Sequence, residues 1–169
     1  MGYVARRRGS APRLTVRIRL LAVSGRQPAW VNAGYEHFVS RLGRECPLEL
    51  VEVPLARGQS RSAAAAVADE AERLLRRVPA DAHVVALDAG GRAWSSPELA
   101  DELQRWQAIG RDCYLLIGGP DGLGAACLAR ADQRWSLSAL TLPHGLARIL
   151  VAEALYRAVC IRRGHPYHK

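Results

Sequence analysis

No stretch of this 169-residue chain reaches the ~18 consecutive apolar residues that a membrane-spanning helix requires. The four cysteines, Cys46, Cys113, Cys127 and Cys160, form no C-x-x-C pair and have no histidine at short spacing. Structural zinc and a redox pair are therefore poorly supported, and free thiols in a reducing cytosol are expected. The phosphate-binding signature G-x-x-x-x-G-K-[ST] is missing, which argues against a nucleotide triphosphatase. The glycine-rich run "IGGPDGLG" fails the dinucleotide fingerprint because Pro120 takes the place of the second required glycine, and because the run follows the fourth strand rather than the first. There is no G-x-S-x-G elbow, and no cysteine sits in a recognisable histidine-linked setting, so nucleophile chemistry lacks its usual parts.

What is present is mostly arginine. The chain carries 24 Lys and Arg, all but Lys169 being Arg, against 16 acids, a formal charge of +8. Arg6, Arg7, Arg8, Arg13, Arg17 and Arg19 face no acid before residue 20. A cluster of this kind attracts phosphate backbones or anionic lipid; a compositional preference for arginine is the competing explanation. The arginine run followed by apolar residues has the outline of an export signal, but Arg17 and Arg19 interrupt it and no small-residue cleavage site follows. The expectation is a soluble cytosolic protein: a flexible basic extension over residues 1–15, then a single domain over 16–169 with 49% hydrophobic residues in the whole chain to build its core.

Strand and helix patterns alternate along that domain. "LTVRIRLLAV" (14–23), "LELVEV" (48–53), "HVVALD" (83–88) and "CYLLI" (113–117) read as strands, and "WSLSALTLP" (135–143) as a fifth, weaker strand or extended loop. Between them helices are expected from Pro28 to Glu45, from Ser62 to Val78, from Ser96 as N-cap with Pro97 in the first turn to Gly110, and from Ala125 to Ala131. A long closing helix runs from His144 to Arg163. The β-α repeat predicts an α/β fold with a mostly parallel sheet, whose ligands bind outside the carboxyl ends of the strands. That rule points to Leu87 and Asp88, to Gly118 through Gly124, and to the segment from Ser136 to Pro143.

Those loops leave alternatives open. The glycines permit close approach to a ligand, or merely a tight strand-to-helix turn. The hydroxyls of Ser136, Ser138 and Thr141 alternate with leucines, which suits either an adenine cradle or a half-buried strand. Glu153 and Arg157, at i and i+4 on the closing helix, fit a surface ion pair. The terminal "GHPYHK" concentrates two histidines, a tyrosine and a cation where chains usually fray. A metal site is disfavoured there, because Pro166 prevents helical presentation of His165 and His168 and no third ligand has supporting spacing.

The ordered combination "LLIGGPDGLG", "WSLSALTLPHGLARILVAEALYRA" and terminal "HPYHK", with "AVSGRQPAWV", "ELVEVP", "VVALDAGGRAWSSPELA" and "ELQRWQAIGRD" before it, resembles the RlmH (YbeA) family of SPOUT-class RNA methyltransferases. The resemblance covers Val16 to Lys169. It implies a SPOUT-type α/β domain with a C-terminal trefoil knot, which periodicity does not indicate and base rates disfavour. It implies a homodimer packed through the knot region, with each site near the partner chain. It further implies methylation of N3 of a pseudouridine in 23S rRNA on the assembled ribosome, with S-adenosylmethionine as methyl donor and no metal.

Carried over position by position, Leu87, Asp88, Gly119, Ser138, Ala139, Leu140, Thr141, Leu142 and Pro143 line the cofactor pocket. His165 or His168 is the candidate base for the imide proton. Tyr167 stacks on or hydrogen-bonds to the target base, and Lys169 holds RNA phosphate. Two other readings stand beside this one: a related SPOUT enzyme acting on transfer RNA, and a non-catalytic RNA-binding or ribosome-assembly factor that kept the fold.

Overall fold

The structure is a computed structural model that describes residues 16–56 and 62–168, the last of them by its backbone alone. The arginine cluster before residue 16 and Lys169 lie outside the described residues. Five strands, β1 (Ile18–Val23), β2 (Leu48–Val53), β3 (His83–Ala93), β4 (Cys113–Ile117) and β5 (Gln133–Ser136), form one sheet in the order β2-β1-β4-β3-β5. Every pairing is parallel. The α/β expectation is met, and β4 enters the middle of the sheet between β1 and β3.

A parallel sheet must be covered on both faces, so its central strands read apolar throughout. β4 is buried at all five positions. Its alternate side chains serve two cores: Cys113, Leu115 and Ile117 on one face, Tyr114 and Leu116 on the other. The first face is closed by α1 (Ala29–Leu42), α3 (Ser96–Ile109) and α5 (His144–Arg162), which contribute Tyr35, Leu103, Trp106, Val151 and Leu155. The second is closed by α2 (Ala63–Leu75) and α4 (Ala125–Arg130) through Ala71, Leu74 and Cys127. The two edges are treated differently. β2 exposes Glu49, which pairs with Arg19, and β5 is only four residues long.

Two expectations shift in detail. The cap of α3 is Ser95 rather than Ser96: its hydroxyl accepts the Glu98 amide at 3.3 Å, while the Glu98 carboxylate accepts the Ser95 amide at 2.8 Å. This reciprocal box needs an acid three residues after the cap, and only Ser95 has one. Gly110 ends the helix with φ of 71°, a left-handed conformation that favours glycine. The fifth strand occupies Gln133–Ser136 and not 135–143; beyond Ser136 the chain leaves the sheet as irregular loop.

A buried polar knot fixes β5 against α3. The Gln133 side-chain oxygen accepts the Trp106 indole N–H at 2.8 Å and the His83 Nε2 proton at 3.0 Å, while its amide donates to Glu102 at 2.8 Å. All four cysteines are buried and unpaired, as expected, and desolvation raises the Cys46 thiol to about 12.

If Ser95 is the cap, Ser95→Ala lowers the unfolding free energy by about 1 kcal/mol. Ser96→Ala shifts it by only a few tenths of a kcal/mol, about the difference in helix propensity. Urea titration of both variants separates the assignments.

Candidate active site

The strands' carboxyl ends open into a cleft of about 250 Å³. β3 supplies one wall. Leu87 and Arg92 both oppose Trp135 on β5, so residues 88–91 are extruded between them as a bulge. Gly91 permits this: a Cβ there would press on the Arg134 and Trp135 backbone at 2.7–2.8 Å. The strand therefore does not stop at Asp88, as "HVVALD" suggested, but detours and resumes to Ala93. The detour puts Leu87, Asp88 and Ala89 on the cleft.

The glycine-rich turn after β4 supplies the floor. Gly118, Gly119, Pro120, Gly122 and Leu123 line the cleft, and the Gly122 amide donates back to the Gly119 carbonyl at 2.9 Å. A Cβ on Gly118 would overlap the Gly122 backbone, and one on Gly119 would overlap the Glu70 carboxylate. Gly122 adopts φ of 87°. Three glycines are thus required for three different reasons, which a plain connecting turn does not need.

The third wall is the loop after β5. Leu137, Ser138, Leu140, Thr141 and Leu142 face the cleft, together with Trp135, His144 and Ala147. The loop is held locally: Ser136 Oγ donates to the Ser138 carbonyl at 3.1 Å, and Ser138 Oγ accepts the Leu140 amide at 2.9 Å. Trp135 is kept in place by Trp94, whose ring lies stacked at 5.5 Å. Leu140 is 74% exposed at the rim. Of the nine positions expected to bind cofactor, Leu87, Asp88, Gly119, Ser138, Leu140, Thr141 and Leu142 line the cleft, while Ala139 and Pro143 do not.

His144 and Glu70 were not singled out from sequence. His144 opens α5 and lines the cleft; its Nδ1 is shut off from solvent without a hydrogen-bond partner. Burial pushes its pKa below the usual 6.5, against the pull of the Gly119 backbone and Glu70, so the ring is neutral near pH 7. Glu70 on α2 sits at a core-facing position beside Ala71 and Leu74. A carboxylate on a helix's apolar face was the readable signal for it.

The tail lies elsewhere. α5 has 19 residues, which at 1.5 Å rise carries the chain roughly 28 Å away from the cleft. Its first half is pinned by Arg148, fully buried, which donates to Glu52 at 2.9 Å and to Ser24 at 2.8 Å at the ends of β2 and β1. At its other end Gly164 turns with φ of 66° and the His165 amide donates to the Cys160 carbonyl. A short 3-10 turn, α6 (Pro166–His168), follows.

Tyr167 lies back on α5. Its ring meets Tyr156 edge-on at 4.7 Å and lies under the Arg157 guanidinium at 5.0 Å. Its hydroxyl donates to Glu153 at 3.3 Å, and Glu153 also holds Arg157 at 2.5 Å. The Glu153–Arg157 pair is thus the anchor of the tail and not only a surface ornament. Burial and the Glu153 charge hold the Tyr167 phenol protonated. The Tyr167 amide donates to His165 Nδ1 at 3.3 Å. The structure therefore gathers the expected cofactor residues but does not bring His165 or Tyr167 to them within one chain. Among the described residues no group of three or more His, Cys, Asp or Glu is arranged to hold a metal.

Tyr167→Ala removes the anchor. Limited proteolysis is expected to cut within residues 164–169 several-fold faster, with the thermal midpoint shifted by less than about 2 °C because the core is untouched.

With this geometry in place, comparison with known proteins is informative. A family model described as "Predicted SPOUT methyltransferase" matches residues 16–168. The ribosomal RNA large subunit methyltransferase H of Alkalilimnicola ehrlichii is 52% identical over 155 residues, covering 91% of this chain and 99% of that protein. The protein of the same name from Hahella chejuensis is 49% identical over the same shares. The solved SpoU methyltransferase AviRb from Streptomyces viridochromogenes, in complex with AdoMet, is 16% identical with a TM-score of 0.43, over 90% of this chain and 59% of that one. Family match and near-full-length identity agree, and this chain belongs to the SPOUT methyltransferases, in the branch of the large-subunit ribosomal RNA methyltransferase H proteins.

Proposed function

We propose that this chain transfers a methyl group from S-adenosylmethionine to large-subunit ribosomal RNA, at N3 of a pseudouridine in 23S rRNA of the assembled ribosome. The observation that carries the proposal is the cleft: three loops of different strands converge on it, and seven of the nine positions that the family resemblance picks out line it. The residues present fit the cofactor. Leu87, Leu140 and Leu142 offer apolar contacts, the Gly118–Gly119 backbone is unobstructed by any Cβ, and the buried Nδ1 of His144 awaits a polar partner. S-adenosylmethionine, when bound, supplies a methyl group that is already activated. The chain's task is to orient the two reactants and to take one proton.

That proton sits on the acceptor imide nitrogen, and the tail is the source of a base. His165 Nδ1 already accepts the Tyr167 amide in this arrangement, which leaves His168 as the assigned base. Tyr167, anchored by Glu153 and Arg157, presents the tail to RNA, and Lys169 holds phosphate. Because the tail docks on Glu153 to Arg157 and lines no part of the cleft of its own chain, a complete site requires two chains, the cleft of one facing the tail of the other.

A homodimer is accordingly proposed, packed through the trefoil-knot region that the family resemblance implies. Leu146 and Leu150, one turn apart on α5, are exposed, as is Trp30 (59%) at the start of the adjacent α1. Apolar side chains gathered in this way mark an interaction face. The proposed compartment is the cytoplasm, where ribosomes are; among the described residues no helix is long and apolar enough to cross a membrane.

Incubation with S-adenosylmethionine carrying a labelled methyl group tests the substrate. Label is expected in 23S rRNA of intact ribosomes lacking the modification and not in transfer RNA. Label in transfer RNA alone, or no transfer at all, overturns the reading in favour of the two alternatives. His168→Ala is expected to lower transfer at least a hundredfold at pH 7; full activity across pH would remove the base assignment.

Complementation tests the two-chain site. A chain lacking residues 165–169 and a chain carrying Gly119→Arg are each expected to be inactive. Mixed through reversible unfolding, they should recover about a quarter of wild-type activity, since half the dimers are mixed and each has one intact site. No recovery places the site within one chain.

A further inference from the structure

The cleft has a carboxylate behind its floor that the mechanism above does not use. Glu70 is only 6% exposed. One oxygen, Oε1, accepts the Ala56 amide at 2.9 Å. The carboxylate then lies so close to Gly119 that an added Cβ would overlap Oε2 and meet Oε1 at 3.2 Å. Gly119 itself lines the cleft, so Glu70 stands one backbone thickness behind it.

Burying a carboxylate this deeply is costly unless something matches its charge. The nearby arginine does not: Arg148 is committed to Glu52 and Ser24. His144, the basic side chain that lines the cleft, is held neutral by its surroundings. A hydrophobic or amide side chain at Glu70 would pack the α2 core at less cost. Among the described residues no ion pair reaches Glu70, and a positively charged occupant of the cleft would match its charge.

S-adenosylmethionine carries a sulfonium and a zwitterionic amino acid, a net charge of +1. Once the methyl has left, S-adenosylhomocysteine is a neutral thioether with the same shape elsewhere. We propose that Glu70 makes the cleft selective for charge, favouring the sulfonium form of the cofactor over its neutral product. Shape contacts from the leucines and glycines treat the two molecules almost alike, so they cannot supply this discrimination. A charge behind the floor can, because it is poorly screened by salt. At an effective dielectric of about 20, Coulomb's law makes an opposite charge behind the floor worth roughly tenfold in affinity. The consequence is that methyl transfer itself loosens the product's hold and clears the site.

This inference rests on the methyl-transfer reading, and the test separates the two. Calorimetric titration of the full-length protein with S-adenosylmethionine and with S-adenosylhomocysteine gives both dissociation constants. Glu70→Gln keeps the shape and the oxygen that accepts the Ala56 amide while removing the charge. It is expected to weaken S-adenosylmethionine about tenfold and to leave S-adenosylhomocysteine within about twofold. Glu70→Asp, with the charge drawn back by one methylene, is expected to lower the ratio of the two affinities by a smaller factor. Should Glu70→Gln lose its cooperative melt, Glu70→Asp carries the test, and an unchanged ratio there overturns the proposal.

Equal weakening of both ligands in Glu70→Gln reduces Glu70 to a structural part and overturns the proposal, as does equal binding of both by the wild-type chain. So does collapse of the ratio in Asp88→Asn but not in Glu70→Gln. Binding of neither ligand by the wild-type chain removes the methyl-transfer reading itself.

Discussion

An α-helix rises 1.5 Å per residue and does not compress, so α5 holds the docking point of the tail, at Glu153 to Arg157, roughly 14–20 Å along its axis from His144 at the cleft. Much of this protein's organisation follows from that separation. His144, at the first turn, belongs to the cleft; Glu153 and Arg157, at the middle of the helix and one turn beyond it, hold Tyr167. The helix cannot slide to bring the two together, because Arg148 is bound at zero exposure to groups at the ends of β1 and β2. Releasing that guanidinium from its partners would leave a buried charge uncompensated, one of the costlier defects in a protein interior. A rigid spacer of this kind keeps the tail out of the cleft of its own chain.

The cleft shows how a regular sheet is made to carry an irregular site. Parallel strands end in loops at one side, and three of those loops converge where β4 lies between β1 and β3. Each is irregular by a different device: β3 extrudes residues 88–91 where Gly91 permits a backbone contact, the turn after β4 uses Gly118, Gly119 and Gly122, and the chain after β5 relies on the Ser136 and Ser138 hydroxyls. The scaffold beneath is stiff. Trp94, Trp106 and Trp135 contact one another in series, and Gln133 ties β5 to α3 and β3 through three hydrogen bonds. Loose loops on a rigid frame place polar groups accurately only if their own hydrogen bonds are satisfied locally, as these are.

Buried polar side chains occur at both ends of the sheet: His83 and Glu102 bind Gln133 near the amino ends of β3 and β5, and others lie at the cleft. Glu70, Arg148 and His144 all lie at or just beneath the carboxyl ends of the strands. None is required by packing, since apolar residues fill the same kind of position along Ala71, Leu74, Val151 and Leu155.

Much was legible from sequence because it depends on local pattern. Alternating and continuous apolar runs located the first four strands, the Pro97 and Gly110 punctuation located α3, and the glycines of "GGPDGLG" located the floor of the cleft. The errors are also local in origin. Two adjacent serines compete for one cap, and only the spacing to Glu98 distinguishes them; a strand that bulges at Asp88 looks finished there; hydroxyls alternating with leucines look like a strand until their side chains turn back onto the backbone. By itself, then, the sequence determined the alternation of elements, the end of the sheet at which the cleft opens and the family to which the chain belongs, because these follow from periodicity, backbone chirality and ordered motifs. Only the tertiary structure decided that Glu70 presses on Gly119, that Arg148 locks α5, and that the tail folds back onto Glu153, roughly 14 Å along α5 from the cleft. Those facts depend on contacts between residues distant in the chain, and no local pattern records them.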